Sequence, residues 1–144
     1  MSDSSSTRVP RVLLVDPDFR GSQRLAELLR DDGFDVETAR DGATAIGRLA
    51  HAPLLDALVT ELKLPLCDGM AVARFGRSQH PGLEVVVLTH HPDLLVAEAL
   101  ECLSPLLLTK PVDYQQLLEA LRAPESAAVA ASPTSSARAL ALRC

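Results

Sequence analysis

Five short apolar runs, separated by stretches long enough for helices, constrain this chain more than any other feature. They are Val12-Leu13-Leu14-Val15, the weaker Val36 to Ala39, Ala57-Leu58-Val59, Val85 to Leu88 and Leu106-Leu107-Leu108. Runs this short and this continuously apolar read as strands buried on both faces, and their alternation with amphipathic segments is the pattern of repeated βα units. Successive parallel strands need a crossover between them, so the intervening segments are expected to be helices lying over the sheet. The expected class is α/β, with a doubly wound five-stranded parallel sheet.

The segments between the runs carry helix signals. Phe19, Leu25, Leu28 and Leu29 fall near one face of the first, and Gly33 stands where a left-handed stop is wanted. Asp41 is placed to cap a second helix that is expected to bury Ala43, Ile46, Leu49 and Ala50. A third, from Met70 to about Gln79, offers Val72 and Phe75 to the core, and Gly76 costs it about 1 kcal/mol against alanine. A fourth is expected from about Asp93 to Leu103. The fifth opens at "DYQQLL", with Asp113 as N-cap and Gln116 as the returning side chain of a capping box.

A chain of 144 residues is long enough for one domain with a real core. We expect that domain over residues 10–122, a disordered tail over 1–9, and a second over 123–144. The latter, "APESAAVAASPTSSARALALRC", is too rich in alanine, serine and proline to build a core.

Composition excludes several functions. No apolar run approaches the roughly 18 residues a membrane span requires. "MSDSSSTRVP" lacks the basic and apolar regions of a secretory signal, so a cytoplasmic location is expected. Cys67, Cys102 and Cys144 are odd in number and widely spaced, which suits reduced thiols and no zinc site. A net charge of −5 with one tyrosine, three phenylalanines and no tryptophan argues against nucleic acid as a partner and favours proteins. Phosphate-binding glycine loops, Ser/His/Asp arrangements and HExxH are missing from the sequence, so neither a nucleotide enzyme nor a hydrolase is expected.

A doubly wound sheet gathers the carboxyl ends of its strands along one edge, where ligands bind. Reading off the residues there gives Asp16, Glu61, Thr89 and Lys110: two acids, one hydroxyl and one ammonium from distant segments. His90 and His91 border this edge and read as a solvated loop pair, while Cys67 reads as a half-buried, inert thiol.

The stretches "RVLLVDPD", "GFDVETARDGATAI", "LVTELKLPLCDG", "VVVLTHH" and "LLLTKPVD", in this order, give the chain its resemblance to the receiver domain of two-component response regulators, over about residues 10–122. The resemblance implies a flavodoxin-like fold with strand order 2-1-3-4-5 and five helices. It also implies a site where an aspartate ending the third strand takes a phosphoryl group from a histidine kinase, with Mg²⁺ bound, while a hydroxyl and a lysine rearrange around it.

This sequence departs from that pattern at three positions. Glu61 stands at the phosphoacceptor position, and its extra methylene carries the oxygens about 1.5 Å further. In-line attack needs reacting atoms held near 3 to 3.5 Å, so Glu61 is not expected to be phosphorylated. Pro17 replaces the second acid of the metal-binding pair and offers no side-chain oxygen, and Asp18 fits a helix N-cap better than a metal ligand. Asp16 and Glu61 against Lys110 leave about one net negative charge, enough for weak metal binding by those two acids and too little to hold Mg²⁺ tightly. Leu107 takes the place of the switch tyrosine or phenylalanine. Lys110-Pro111 resembles the family's Lys-Pro step, often a cis peptide, which is expected to bring Lys110 to Glu61.

The expected function is that of a single-domain pseudo-receiver, a non-enzymatic protein-interaction module in bacterial signal transduction that works without phosphorylation or a cofactor. Its partner, another signalling protein or a second copy, is expected on the face formed by the fourth helix, fifth strand and fifth helix, with Leu94, Leu95 and Leu103 as exposed apolar residues. Glu61 either imitates a phosphorylated state or only neutralises Lys110 in a relic pocket. Two other readings stay open: a phosphoacceptor using Asp16, Asp18 or Asp56 as a displaced nucleophile, and a domain binding a small acidic ligand through Lys110 and Thr89.

Overall fold

The computed structural model describes residues 8–91 and 105–122. Nine elements follow one another as β1 (Arg11–Val15), α1 (Phe19–Asp31), β2 (Asp35–Ala39), α2 (Gly42–His51), β3 (Ala57–Glu61), α3 (Gly69–Gln79), β4 (Glu84–Thr89), β5 (Leu106–Thr109) and α4 (Tyr114–Arg122). The five strands form one parallel sheet in the order β2-β1-β3-β4-β5. Of the helices expected from the sequence, α4 is the fifth. The fourth, with Leu94, Leu95 and Leu103, lies outside the described residues, as do 1–7 and 123–144.

Successive strand residues point to opposite faces, so each apolar run feeds two cores. Leu13, Val15, Leu58, Val85 and Val87 face α2 and α3, where Ala45, Leu49, Met70 and Val72 meet them. Val12, Leu14, Val59, Val86 and Leu88 face the other way, onto Ala26 and Leu29 of α1 and Leu117 and Leu118 of α4. Each leucine or valine buried here contributes about 1.5 to 3 kcal/mol relative to exposure. On the outer strand β2, the Arg30 guanidinium donates to the Val36 carbonyl at 2.8 Å, covering part of an open edge.

Helix faces differ from the sequence expectation in detail. α1 buries Ser22, Ala26 and Leu29, while Phe19 and Leu28 remain 49% and 37% exposed. Phe19 opens the helix and lies under the Arg40 guanidinium, 5.0 Å from its ring centre. In α2 the buried residues are Gly42, Ala45 and Leu49, with Ile46 half-buried and Ala43 and Ala50 outside. Alanine is at home on either face, so its helical phase was set by Leu49 and not by its own hydrophobicity.

Termination follows the local chemistry. Gly33, at φ +98°, turns the chain out of α1 in a conformation glycine adopts without steric cost. The Asp41 carboxylate accepts the Thr44 N–H at 2.7 Å to open α2, and Asp113 accepts the Gln115 N–H at 3.0 Å ahead of α4. The Tyr114 hydroxyl donates to Asp32 at 2.6 Å and Arg122 reaches the same carboxylate, tying α4 to the end of α1. No described helix is long and apolar enough to cross a membrane.

Candidate functional site

Parallel pairing sets the carboxyl ends of the central strands side by side. Asp16 directly follows β1, Glu61 and Thr89 end β3 and β4, and Lys110 directly follows β5. The sheet runs β1-β3-β4-β5 in space, so Lys110 reaches across the end of β4 to both acids. Its Nζ lies 2.8 Å from Asp16 Oδ2 and 2.6 Å from Glu61 Oε1.

The other carboxylate oxygens also have donors. Asp16 Oδ1 accepts the Asp18 N–H at 2.9 Å, and Glu61 Oε2 accepts the N–H of Leu62 at 3.1 Å and of Lys63 at 3.5 Å. Both acids are nearly buried, at 3% and 7% exposure, so these charge-assisted bonds form where water competes weakly. Burial pushes the Lys110 ammonium toward losing its proton. Hydrogen bonds to Asp16 and Glu61, with their charges, outweigh that and hold its pKa above the ordinary lysine value.

The turn after β3 is built to aim Glu61. The Leu62 N–H continues the ladder to the Leu88 carbonyl at 2.9 Å, and the Gly69 N–H returns to the Leu62 carbonyl at 2.7 Å. A Cβ on Gly69 would run into the Glu61 carbonyl oxygen, so only glycine lets α3 begin this close to the site. Asp68 caps α3 by accepting the Ala71 N–H at 2.9 Å.

Other residues singled out in the sequence fall into place around this centre. Pro17 is exposed, and Asp18 caps α1 by accepting the Gly21 N–H at 3.2 Å. Thr89 is buried and its hydroxyl accepts the His91 N–H at 2.9 Å, engaging its own loop. Leu107 is half-buried against the core on the α2–α3 side, and Pro111 follows a cis peptide from Lys110. His90 and His91 are exposed, and Cys67 is a half-buried free thiol.

Asp56 is not part of the pocket. It precedes β3 at the amino-terminal edge of the sheet, where it pairs with Arg8 and accepts the Arg11 N–H at 2.7 Å. It stands at the opposite end of the five-residue strand β3 from Glu61, which removes it from the candidate nucleophiles. The Leu62 and Lys63 N–H groups were invisible to sequence reading, because backbone donors leave no residue signature. The Asp68 cap does carry a sequence signal, an acid directly before the helix it opens.

Comparison with known proteins agrees with this fold. The model of the response regulator receiver domain matches residues 12–122. A response regulator receiver protein of Anaeromyxobacter sp. is 36% identical over 111 residues, covering 76% of this chain and 46% of that protein. The response regulator MprA of Mycobacterium avium is 34% identical over 114 residues, 78% of this chain and 50% of its own length. The chain thus spans half or less of these relatives. Among solved structures, the signal receiver domain of an HD domain-containing protein from Pseudomonas fluorescens superposes with a TM-score of 0.71 at 33% identity, covering 80% of this chain and 93% of that one. A CheY-like receiver domain from Methanospirillum hungatei gives 0.74 at 21% identity, covering 80% and 92%. With the family model, these relatives and the strand order in agreement, this chain belongs to the response regulator receiver family.

Proposed function

We propose that this receiver domain acts without phosphorylation, as a non-enzymatic protein-interaction module in two-component signalling, with Glu61 supplying a permanent negative charge. One observation carries the reading: both Glu61 carboxylate oxygens are already held by donors of this chain, Oε1 by Lys110 and Oε2 by the Leu62 and Lys63 N–H groups. An incoming phosphoryl group needs a free nucleophilic oxygen and donors free to stabilise its charge, and here the carboxylate occupies those donors itself.

Mg²⁺ does not fit the groups around this pocket. It demands near-octahedral oxygen coordination, whereas Pro17 offers no side-chain oxygen, Asp18 is spent on capping α1, and both Asp16 oxygens carry donors. The neutralising charge comes from Lys110 instead. A small acidic ligand would find that ammonium shared between two carboxylates and the Thr89 hydroxyl engaged with His91, which disfavours the ligand-binding reading. Leu107 gives the domain no switching ring, so the interaction face keeps one form. Of the face expected to bind, β5 and α4 are described, and the segment 93–103 lies outside the described residues.

The test is phosphotransfer. The chain is incubated with Mg²⁺ and either labelled acetyl phosphate or an autophosphorylated histidine kinase. Expected is no label on this chain; acid-stable or acyl-phosphate label on Asp16, Asp18 or Glu61 contradicts the proposal.

A further inference from the structure

Glu61 is held the way a protein holds a bound anion. Its Oε1 accepts from the Lys110 ammonium at 2.6 Å, and its Oε2 from the Leu62 N–H at 3.1 Å and more distantly from the Lys63 N–H at 3.5 Å. Each carboxylate oxygen thus has its own donor, and one of those donors carries a full charge.

The two closest donors do not owe their positions to Glu61. Asp16 Oδ2 holds the Lys110 Nζ at 2.8 Å, and the Lys110 N–H is fixed to the Thr89 carbonyl at 2.8 Å. The Leu62 N–H is shared with the Leu88 carbonyl at 2.9 Å, and the Leu62 carbonyl receives the Gly69 N–H at 2.7 Å, so sheet pairing and the turn into α3 set this donor. With the Glu61 side chain gone, Asp16 and Lys110 neutralise one another, and the ammonium and the Leu62 N–H are left facing a space that can take one negative charge.

Chemistry defines the size of that space. Glutamate exceeds alanine by one methylene and one carboxylate, which is acetate less a hydrogen, and it exceeds glycine by the corresponding atoms of propionate. Side-chain exposure of 9% for Glu61 and 13% for Lys110 leaves an entry from solvent. Phosphate fits worse, because it adds two oxygens and further negative charge beside the buried Asp16, while the Thr89 hydroxyl is already engaged with His91.

We infer that the end of β3 is a preformed carboxylate-binding site, which the chain closes with its own Glu61 as a tethered ligand and which takes free acetate once that side chain is removed. The tether makes binding intramolecular, so added acetate does not displace Glu61 from the natural chain. This role rests on the reading of Glu61 as a permanent charge, and adds to it that the site recognises a carboxylate and not a phosphate.

The test follows melting midpoints of the full chain and its Glu61→Ala and Glu61→Gly variants in sodium acetate, propionate, phosphate or chloride at one ionic strength and neutral pH. For Glu61→Ala, acetate is expected to give a saturable rise of about 3 °C or more over chloride, above that given by propionate. For Glu61→Gly the order reverses, and the natural chain responds to neither anion. A variant that is unfolded in chloride is expected to regain its fold in its matching carboxylate. Overturning results are a response to carboxylates no greater than to chloride in both variants, the same order of anions in both, phosphate equalling acetate, or an equal response from the natural chain. Acyl-phosphate label on the natural chain would remove the reading of Glu61 beneath this role, whereas a missing carboxylate response with the natural chain unlabelled removes this role alone.

Discussion

Lys110 stands 2.6 Å from Glu61, slightly closer than its 2.8 Å approach to Asp16, though it starts from β5 and must cross the end of β4 to reach either. Two carboxylates buried this deeply would repel one another if left alone, and the ammonium between them makes the arrangement tolerable. The pocket is therefore a three-residue unit, and its members are expected to respond together.

Removing the cation tests that unit. Lys110→Met leaves Asp16 and Glu61 buried and uncompensated, and is expected to lower unfolding stability by about 3 kcal/mol in urea titrations. Adding Glu61→Gln to it removes one of the two stranded charges. The double variant is expected to recover part of the loss, a coupling that independent sites would not show.

Alkaline pH should weaken the fold through two groups. The folded Lys110 holds its proton more tightly than the ordinary value of 10.5, because its bonds and charge attraction to Asp16 and Glu61 outweigh the opposing effect of burial. The Tyr114 phenol is likewise raised above its ordinary 10.0, by burial and then by its hydrogen bond to Asp32 and that group's charge. In each case the folded state binds the proton better than the unfolded one, so the stabilisation is complete below about pH 10 and is lost as pH rises through the folded values. Melting temperatures followed upward from neutral pH should fall above about pH 10, and Tyr114→Phe should make that fall shallower.

Two glycines should respond oppositely to alanine. At Gly69 a new Cβ meets the Glu61 carbonyl oxygen, which is fixed in the strand end, so Gly69→Ala is expected to cost about 2 to 3 kcal/mol and disturb the pocket. At Gly47, inside α2, nothing beyond its chain neighbours and the helix's own backbone lies within 4 Å of the new Cβ, and Gly47→Ala should gain about 0.5 to 1 kcal/mol from helix propensity. Denaturant midpoints for the two variants give the comparison.

Much of this architecture was legible because its signals are redundant. Four of the five strands carry an unbroken apolar run such as Val12 to Val15, and the acids and lysine stand at the run ends, so fold class and the identity of Asp16, Glu61 and Lys110 follow from pattern and resemblance together. Helix faces were less legible, since Ala43, Ala45 and Ala50 carry almost no preference and the phase of α2 depends on what α3 leaves room for. The backbone donors beneath Glu61, the left-handed turn at Leu66 and the buried His80 ring between the Leu55 N–H and the Leu49 carbonyl arise from tertiary placement, and single residues gave no sign of them.

Restoring the shorter acid should not by itself restore phosphotransfer. Glu61→Asp retracts the carboxylate, yet Pro17 still contributes no oxygen to a metal, so acetyl phosphate with Mg²⁺ is expected to leave this variant unlabelled. Pro17→Asp combined with Glu61→Asp supplies both missing groups and is the variant expected to acquire label. Label on Glu61→Asp alone would show that Pro17 is no barrier.

The most direct measurement is the unfolding midpoint of the natural chain with Mg²⁺ and beryllofluoride, an analogue of the acyl-phosphate group, against the chain in buffer. A ligand at 100 times its dissociation constant adds about 2.7 kcal/mol of stability, well within what a melting curve detects. Expected is an unchanged midpoint, because Lys110, Leu62 and Lys63 already hold Glu61. A clear upward shift that Asp16→Ala abolishes would contradict it.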